Sequence, residues 1–208
     1  AKLGHNIEVF ERRPDMRKMN LSGGRSINLA LSDRGWRALE EAGIEKDIEP
    51  LAIPMYGRMI HELNGDERFM PYGKGEQAIY SVSRGRLNEI LMERAEEHEN
   101  VQFHFEKRVE EVDLKNNSIL FSDGQKTSHD LIFGTDGAFS AIRTEMMKTD
   151  RFNYQQHYIE HGYKELSIPP TEDGGWKIEK NALHIWPRKS FMLIALPNLD
   201  GSFTVTLF

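Results

Sequence analysis

The pattern of apolar and polar positions along the chain predicts mostly short β-strands. Residues 6–10 alternate, with apolar side chains at Ile7 and Val9, and a charged segment follows them. Residues 53–63 alternate in the same way, and turn residues at 64–66 precede a second apolar stretch. Because alternation is the signature of a half-buried strand, the first stretch predicts a strand and the second a β-hairpin.

Two stretches have the spacing of a helix instead. Ser32 is a suitable N-cap, Trp36 and Leu39 follow at helical spacing, and Gly43 is a suitable stop signal. A second helix is predicted over residues 87–98, where apolar side chains recur on one face. We interpret both apolar faces as core.

The segment Asp130–Arg143 (DLIFGTDGAFSAIR) is the one around which the chain is organised. It follows a meander of strands predicted at 101–105, 108–114 and 119–122. An apolar run leads into glycines, and a helix start follows at Ser140, which predicts a buried strand that ends in a crevice of an open α/β sheet. Asp136 at that strand end can reach a ribose hydroxyl or a phosphate-bound water. The alternative is an ordinary turn with a solvated Asp.

The last third of the chain predicts an antiparallel sheet. A strand is expected at 156–166, a turn-rich loop at 169–175, and three further strands between Leu183 and Phe208. The aromatic side chains of these strands could form the floor of a pocket beside a nucleotide-binding domain; they are Trp186, Phe191 and Phe203.

Composition excludes several classes of function. The chain has 208 residues, a net charge of −6 and a pI near 5.8, which argues against nucleic acid as the main partner. No apolar run is long enough to span a bilayer. The absence of cysteine excludes disulfides, a thiolate nucleophile and Cys-ligated metal, and it fits a reducing, cytoplasmic compartment. The eight histidines have no metal-ligand spacing, so we interpret them as structural.

Charged residues next to glycines or strand ends are candidates for nucleotide binding. Glu11 ends the first strand, as the ribose-binding acid of a dinucleotide-binding unit does. Arg84 precedes a helix, where a phosphate would join it favourably. Ser22–Ser26 (SGGRS) could place backbone amides near a phosphate or a flavin edge. The alternatives are that Glu11 is a solvated acid at a strand end, that Arg84 is a surface residue, and that Ser22–Ser26 is a flexible linker.

Arg58 and Tyr72 are candidates for substrate binding. Both lie in the predicted hairpin, so they could meet across a sheet. An Arg on a mostly apolar strand needs a partner, and a substrate carboxylate bound in bidentate fashion would provide one. The alternative is a structural salt bridge to Glu62 or Glu67.

The segment GTDGAFSAIR resembles the DG motif of the class A flavoprotein monooxygenases. Further stretches are similar to the members of that family that hydroxylate L-kynurenine, and together they cover nearly all of the chain: IEVFERRPD, GRSINLALSDRGWRAL, IPMYGRMIHELNG, YSVSRGRLN, HGYKEL and LHIWPR. The resemblance implies an α/β fold with a GR2-type, Rossmann-like FAD-binding domain and an antiparallel β-sheet substrate domain. The implied boundaries are 1–52 and 81–150 for the FAD-binding domain, and 53–80 and 151–208 for the substrate domain.

The resemblance also implies a site and a reaction. Seven residues would contact FAD: Glu11, Arg12, Arg13, Ala30, Arg84, Val109 and Asp136. Arg58 and Tyr72 would hold the amino-acid carboxylate of L-kynurenine. NADPH would reduce FAD, and the reduced flavin with O2 would hydroxylate the ring to give 3-hydroxykynurenine. No catalytic side chain is implied, and a homodimer is one option for the assembly.

Several alternatives stay open on the sequence. Another flavin hydroxylase or halogenase of the same fold would differ in substrate, and an NAD-dependent dehydrogenase would differ in cofactor. We also expect the chain to be a central piece that lacks the glycine-rich G-x-G-x-x-G loop and a C-terminal Gly-Asp motif. On that expectation it could be a non-catalytic, truncated FAD-binding fragment that binds FAD weakly.

Overall fold

The computed structural model describes residues 1–19 and 28–208, and it divides the chain into two compact units. One unit comprises residues 1–22 and 95–158, and the other comprises residues 23–94 and 159–208. The glycine-containing segment Ser22–Ser26, which we considered for phosphate or flavin contacts, lies outside the described residues.

Strands outnumber helices in the described residues. In chain order the strands are β1 (Ile7–Phe10), β2 (Asn28–Leu31), β3 (Ile53–Met55), β4 (Gly57–His61), β5 (Glu67–Pro71), β6 (Ile79–Ser83), β7 (Val101–His104), β8 (Val109–Asp113), β9 (Ser118–Phe121), β10 (Lys126–Ser128), β11 (Lys164–Ile168), β12 (Ala182–Arg188), β13 (Phe191–Pro197) and β14 (Phe203–Leu207). The α-helices are α1 (Asp33–Ala42), α2 (Glu45–Ile48), α3 (Arg84–Glu96) and α4 (Ala141–Met146), and short 3-10 turns lie at Met16–Lys18 and Glu49–Leu51.

The first unit combines a parallel strand pair with an antiparallel meander. β1 runs parallel to β7, and β8, β9 and β10 form a three-stranded antiparallel sheet. The ring of Phe10 lies 4.8 Å from the rings of both His104 and the fully buried Phe121, so aromatic packing joins the two sheets of this unit. The predicted first strand and meander are therefore present.

The strand predicted at the start of Asp130–Arg143 is not formed. Residues 131–137 have no regular secondary structure, and the side chains of Leu131 and Phe133 are 66% and 79% exposed. A strand requires a neighbouring backbone with which to exchange hydrogen bonds. No strand of the described residues pairs with this run, so its apolar composition alone does not make it a strand. The helix start at Ser140 is confirmed, because Ser140 is the N-cap of α4.

The second unit contains a six-stranded mixed sheet and a smaller three-stranded sheet. The strand order in the larger sheet is β11-β14-β13-β12-β4-β5, and within the described residues β12 and β4 form its one parallel pair. The smaller sheet has the order β2-β6-β3. Ser81 of β6 donates a hydrogen bond of 2.8 Å to the carbonyl of Pro197, and Asn28 donates one of 3.0 Å to the same oxygen. These bonds connect the two sheets of the unit.

The helices of the second unit cover the smaller sheet. Their shared core contains Leu39, Ile44, Ile48, Val82 and Ile90. α1 begins after Ser32 and ends at Gly43, which has the left-handed φ of 70° expected of a glycine stop. α3 begins at Arg84, three residues before the predicted Leu87, because the Ser83 hydroxyl accepts the backbone N–H of Arg86 and caps the helix.

The six-stranded sheet has one face packed into a core and one that is more open. Ala195, Phe203 and Val205 lie on the packed face under Trp176 of the preceding loop. Trp186 also packs against this core. Because side chains alternate between faces, the strand register places Arg58 on the opposite face. Trp186, Phe191 and Phe203 therefore lie on the face opposite Arg58, and their role as a pocket floor stays a prediction.

The strand predicted at 156–166 is much shorter in the structure. β11 begins only at Lys164, and residues 152–159 and 161–163 have no regular structure. Tyr158 and Ile159 are 83% and 80% exposed. β14 bonds to β11 only from Lys164 onward, so the earlier residues have no partner among the described strands.

Candidate functional site

The β4–β5 hairpin carries the first candidate site, and a glycine allows its two strands to approach closely. A Cβ atom on Gly57 would lie 2.4 Å from the carbonyl oxygen of Met70 and 2.8 Å from the Cα of Pro71. Both are backbone atoms, so any larger residue would push β5 away from β4. The pairing continues past the strands, where the Tyr72 amide donates a 3.0 Å hydrogen bond to the carbonyl of Tyr56. Gly57 thereby sets the spacing on which Arg58 and Tyr72 depend.

Arg58 and Tyr72 meet at the end of this hairpin. The guanidinium carbon of Arg58 lies 5.2 Å from the centroid of the Tyr72 ring, which is within cation–π range. The Tyr72 hydroxyl is buried and has no hydrogen-bond partner in the described part of the chain. Burial raises the pKa of Tyr72, and the polar interaction with the adjacent Arg58 guanidinium offsets only part of that rise. The phenol therefore stays protonated at neutral pH and can donate a hydrogen bond.

The two acids considered as structural partners of Arg58 are paired with other residues. Glu62 Oε1 lies 3.2 Å from the guanidinium of Arg68, and Glu67 Oε1 lies 3.2 Å from Nδ1 of His61. Arg58 has no carboxylate partner within residues 1–19 and 28–208. A cation and an unpaired phenol side by side form an arrangement that accepts an anion with two oxygen atoms.

Asp136 is placed quite differently from Arg58. Its Oδ1 accepts the Ser140 hydroxyl at 2.5 Å, and its Oδ2 accepts the backbone N–H groups of Ala141 at 2.7 Å and Ile142 at 3.3 Å. The carboxylate therefore caps the N-terminus of α4 together with Ser140. Desolvation would raise the pKa of Asp136, but the bonds from Ser140 and the backbone outweigh it and hold the pKa below its usual range.

Two glycines shape the Asp136 turn. Gly137 has a φ of 81°, a left-handed conformation that residues with a Cβ rarely adopt. A Cβ on Gly134 would meet the side chain of Ile142 at 3.1 Å, so the chain passes close to α4 at this point. The turn thus aims the Asp136 carboxylate at the helix.

The other candidates in the first unit lie at the carboxyl ends of its strands. Glu11, Arg12 and Arg13 follow β1 directly, and their side chains are exposed. Glu11 Oε1 accepts the Arg13 amide at 2.8 Å, which fixes the carboxylate at the turn. The Lys107 amide donates 2.9 Å to the Glu11 carbonyl, so the segment before Val109 adjoins this turn. Glu11, Arg12, Arg13, Val109 and Asp136 therefore share one unit.

Ala30 and Arg84 belong to the second unit. Ala30 is an exposed residue of β2 that pairs with Ser81, and Arg84 is the exposed first residue of α3. In each unit, the charged side chain is of a type that binds part of a nucleotide cofactor. Glu11 places a carboxylate at the end of a parallel strand pair, and Arg84 places a cation at a helix start; their cofactor contacts stay predictions.

The sequence interpretation missed an ion-pair cluster near Glu11. Arg17 donates to Asp15 Oδ2 at 2.8 Å and to Glu96 Oε1 at 3.0 Å, and its guanidinium lies 5.8 Å from the Phe105 ring. The hydrogen bonds that Arg17 donates to Glu96 and Asp15 raise the pKa of Arg17 and lower the pKa of both acids. The cluster anchors the turn after β1 to the end of α3. Glu96 is 79 residues away, so sequence periodicity gives no signal for it.

A buried histidine pair was also missed as a specific feature. His61 Nε2 lies 2.8 Å from His184 Nδ1, and both rings stack near Trp186. The interpretation of the histidines as structural gave no reason for these two to meet. In the described residues no group of three or more His, Cys, Asp or Glu side chains could hold a metal ion. Nor does any described helix have the length and apolar character needed to cross a bilayer.

The fold of the chain is that of FAD-dependent monooxygenases. It matches a probable FAD-dependent monooxygenase, PqsL from Pseudomonas aeruginosa, with a TM-score of 0.74 and 14% identity over 99% of this chain and 54% of that one. It also matches 2-methyl-3-hydroxypyridine-5-carboxylic acid oxygenase with a TM-score of 0.75 and 18% identity over 99% of this chain and 53% of that one. The predicted fold class is confirmed.

The sequence is similar along its whole length to kynurenine 3-monooxygenases. The identity is 50% over 212 aligned positions with that of Christiangramia forsetii, 48% with that of Myxococcus xanthus and 45% with that of Sus scrofa, each over 100% of this chain. The chain spans 47%, 46% and 45% of these relatives, respectively, which is about half their length. No protein-family model matches it. The predicted resemblance to the kynurenine-hydroxylating members is confirmed.

Proposed function

We propose that the chain is part of a flavin-dependent enzyme that hydroxylates L-kynurenine to 3-hydroxykynurenine, using FAD, NADPH and O2. The overall reaction consumes one NADPH, one O2 and one proton, and it releases NADP⁺ and water. The sequence similarity to kynurenine 3-monooxygenases supports the activity, and the fold shared with FAD-dependent monooxygenases supports the cofactor.

The Arg58–Tyr72 pair is the observation that carries the substrate assignment. Kynurenine is an aromatic ketone with an amino-acid end, so its carboxylate distinguishes it from many aromatic substrates. Arg58 has no carboxylate partner among the described residues, and the buried Tyr72 hydroxyl has no hydrogen-bond partner there. A bound carboxylate would satisfy both groups, because the guanidinium and the phenol are both donors.

These residues would act by orientation rather than by proton transfer. The aromatic amine of kynurenine already activates the ring carbon that is hydroxylated, so no strong protein base is required. Reduced FAD, when bound, supplies the activated oxygen atom. Arg58 and Tyr72 would fix the amino-acid end and so hold the ring in one position, which is how bidentate clamps contribute to catalysis.

The residues proposed to hold FAD are those that the sequence resemblance implies. Glu11 would accept ribose hydroxyls, with Arg12 and Arg13 beside it. Arg84 would face a phosphate at the start of α3, and Ala30 and Val109 would contact the cofactor without charge. Asp136 would act mainly through α4, because both its oxygens already accept hydrogen bonds from that helix start.

We further propose a cytoplasmic location and a homodimeric assembly. The first rests on the composition, because a protein without cysteine has no disulfides to maintain. Gel filtration with light scattering of the full-length protein checks the second, and a monomeric mass would overturn it.

Turnover of the full-length protein tests the proposed function. The purified protein is incubated with L-kynurenine, NADPH and air, and 3-hydroxykynurenine and NADPH consumption are both quantified. We expect product and consumed NADPH in a ratio near one, together with a flavin absorbance band. Substituted benzoates serve as competing substrates. Hydroxylation of a benzoate but not of kynurenine would contradict the substrate, and a colourless preparation that reduces NAD⁺ would contradict the cofactor.

A further inference from the structure

His61 and His184 form a hydrogen-bond chain beneath the proposed carboxylate site. His61 lies on β4, three residues after Arg58, and its side chain points to the opposite face of the sheet. His184 Nε2 lies 2.6 Å from the carbonyl oxygen of Glu179, His184 Nδ1 lies 2.8 Å from His61 Nε2, and His61 Nδ1 lies 3.2 Å from Glu67 Oε1. Four groups are thus connected in one line.

The direction of this chain is fixed by its carbonyl end. A carbonyl oxygen only accepts, so His184 must carry its proton on Nε2. When His184 is neutral, its Nδ1 is then an acceptor, and His61 must donate from Nε2. With both imidazoles neutral, His61 Nδ1 has a lone pair that faces the Glu67 carboxylate. A proton added to His61 Nδ1 would form a hydrogen bond to Glu67. The Glu179–His184 and His184–His61 bonds are therefore present in the neutral form, and the His61–Glu67 bond depends on protonation.

Three charged residues on neighbouring segments lie near the two histidines. Glu67 approaches from β5, Arg188 approaches from β12, and Glu179 precedes β12. Arg188 also donates 2.8 Å to the carbonyl of His61. Burial lowers the pKa of both histidines, Glu67 opposes this effect for both, and Arg188 adds to it for His61. The two-link, neutral form therefore predominates at neutral pH.

The hydrogen-bond chain crosses the junction between β4 and β12 in the six-stranded sheet. β4 joins the rest of the sheet through its parallel pairing with β12, in which Arg58 lies opposite Leu183. Parallel pairing is slightly less stable per residue than antiparallel pairing. The His61–His184 bond crosses this junction, and the ring of His61 stacks on Trp186 at 4.1 Å. A buried polar contact thus adds to the backbone pairing of β4 with β12 beside Arg58.

We propose that His61 and His184 are positioning residues for the Arg58–Tyr72 site, because their hydrogen-bond chain holds β4 against β12 beneath Arg58. The inference rests on the proposed function, since it concerns the carboxylate that Arg58 and Tyr72 bind. Neither histidine contacts the substrate in this arrangement. Their effect is on the geometry of the clamp, and a displaced clamp loses affinity for the carboxylate alone.

Ligand affinities of full-length variants test this proposal. His61→Leu removes the donor, and His61→Gln keeps an N–H group near the position of Nε2. Dissociation constants are measured for kynurenine and for an analogue in which hydrogen replaces the carboxylate. We expect His61→Leu to weaken kynurenine binding by about tenfold and leave the analogue unchanged. His61→Gln should restore most of the kynurenine affinity. Met59→Leu, an apolar exchange on the same strand and face, is the matched control and should change neither constant.

The outcomes separate this inference from the proposed function. Arg58→Ala is measured with the same two ligands. If Arg58→Ala does not discriminate between them, the proposed function fails and the inference fails with it. If Arg58→Ala discriminates but His61→Leu weakens both ligands equally, or neither, only the inference is overturned. A Gln variant as weak as the Leu variant would also overturn it.

A spectroscopic measurement covers the case in which His61→Leu does not fold. Nitrogen-15 chemical shifts of the histidine rings in the unaltered full-length protein report which nitrogen carries the proton. At neutral pH we expect both His61 and His184 to carry it on Nε2. A proton on Nδ1 of His61 together with one on Nε2 of His184 would leave no hydrogen bond between the two rings and would overturn the proposal.

Discussion

The β4–β5 hairpin and the Asp136 turn both carry a charged residue. The two differ in whether their polar groups find hydrogen-bond partners within the described protein. Asp136 accepts three hydrogen bonds, all from within its own turn and the start of α4. Arg58 has an aromatic neighbour but no carboxylate partner in the described residues, and Tyr72 has a buried hydroxyl without a partner there. The first carboxylate is satisfied by the fold, whereas the second pair of groups is available to a ligand.

This difference indicates which charged residues contribute to folding stability and which contribute to ligand binding. A group whose partners are local contributes to folding, so its removal should affect the stability of that unit. A group without internal partners contributes little to folding, so its removal should affect binding.

Gly57→Ala should have the largest effect, because it alters the hairpin backbone itself. The added Cβ would lie 2.4 Å from the Met70 carbonyl oxygen, so β5 must move away from β4. We expect a loss of about 3 kcal/mol in the free energy of unfolding, as for severe overpacking. Urea denaturation of the full-length protein measures it. Gly65→Ala, at the hairpin turn, isolates strain from positive φ, since its Cβ would meet nothing within 4 Å. Equal losses in both variants would contradict the close-approach explanation.

Asp136→Asn should destabilise the first unit by about 1 kcal/mol, because it removes the negative charge from a helix N-terminus and weakens an N-cap. Hydrogen exchange of the α4 amides, read by mass spectrometry, measures the local effect. Asp150→Asn, a change of equal charge at an exposed residue after α4, is the control and should leave exchange unchanged. If Asp136→Asn abolished flavin binding without any change in α4 exchange, the carboxylate would serve the cofactor directly.

Tyr72→Phe should weaken kynurenine binding by about 1 kcal/mol, or roughly fivefold, because one hydrogen bond to the carboxylate is lost. Folding stability should not fall, since the Tyr72 hydroxyl is unpaired in the described structure and its burial is unfavourable. Calorimetric titration and thermal unfolding give the two quantities. Tyr56→Phe, on the neighbouring residue of the same hairpin, is the matched control. Lower stability with unchanged affinity would show that the hydroxyl has a structural partner.

Acidification should have the smallest effect. Burial lowers the pKa of His61 and His184 below the usual 6.5, so the folded state binds protons less readily than the unfolded state. The stability they confer is present above pH 6.5 and declines as the pH falls below it. By pH 6.5 we expect the two histidines together to have lost less than about 1 kcal/mol of this stability. His61→Gln should make the decline shallower. An equally steep decline in that variant would assign it to other groups.

Much of the local structure could be predicted from the sequence, because its signals are local. The caps at Ser32 and Gly43, the turn at 64–66 and the alternation of residues 53–63 each specify an element without reference to the rest of the chain. The predicted strands at 130–133 and 156–163 failed for a physical reason. Apolar composition favours a strand, but only a neighbouring backbone makes one, and none of the described strands pairs with either run.

Among the candidate sites, too, local contacts could be predicted from the sequence and contacts between distant residues could not. Arg58 and Tyr72 lie on one hairpin, so their proximity follows from a turn that the sequence shows. The His61–His184 contact joins residues 123 positions apart, through a parallel pairing of β4 with β12 that no local pattern encodes. The role of Asp136 as a helix cap also depends on a turn geometry set by Gly137, whereas the motif alone indicates only that an acid is present.

Binding of two ligands to two proteins determines whether Arg58 binds the substrate carboxylate. Dissociation constants are measured for kynurenine and its carboxylate-free analogue with the unaltered full-length protein and with Arg58→Ala. If Arg58 binds the substrate carboxylate, the variant should lose about 2 kcal/mol, or roughly 30-fold, in kynurenine affinity and nothing for the analogue, with flavin content unchanged. Equal affinity of both proteins for kynurenine, or an equal loss for both ligands, would contradict the assignment of Arg58 as the carboxylate-binding residue.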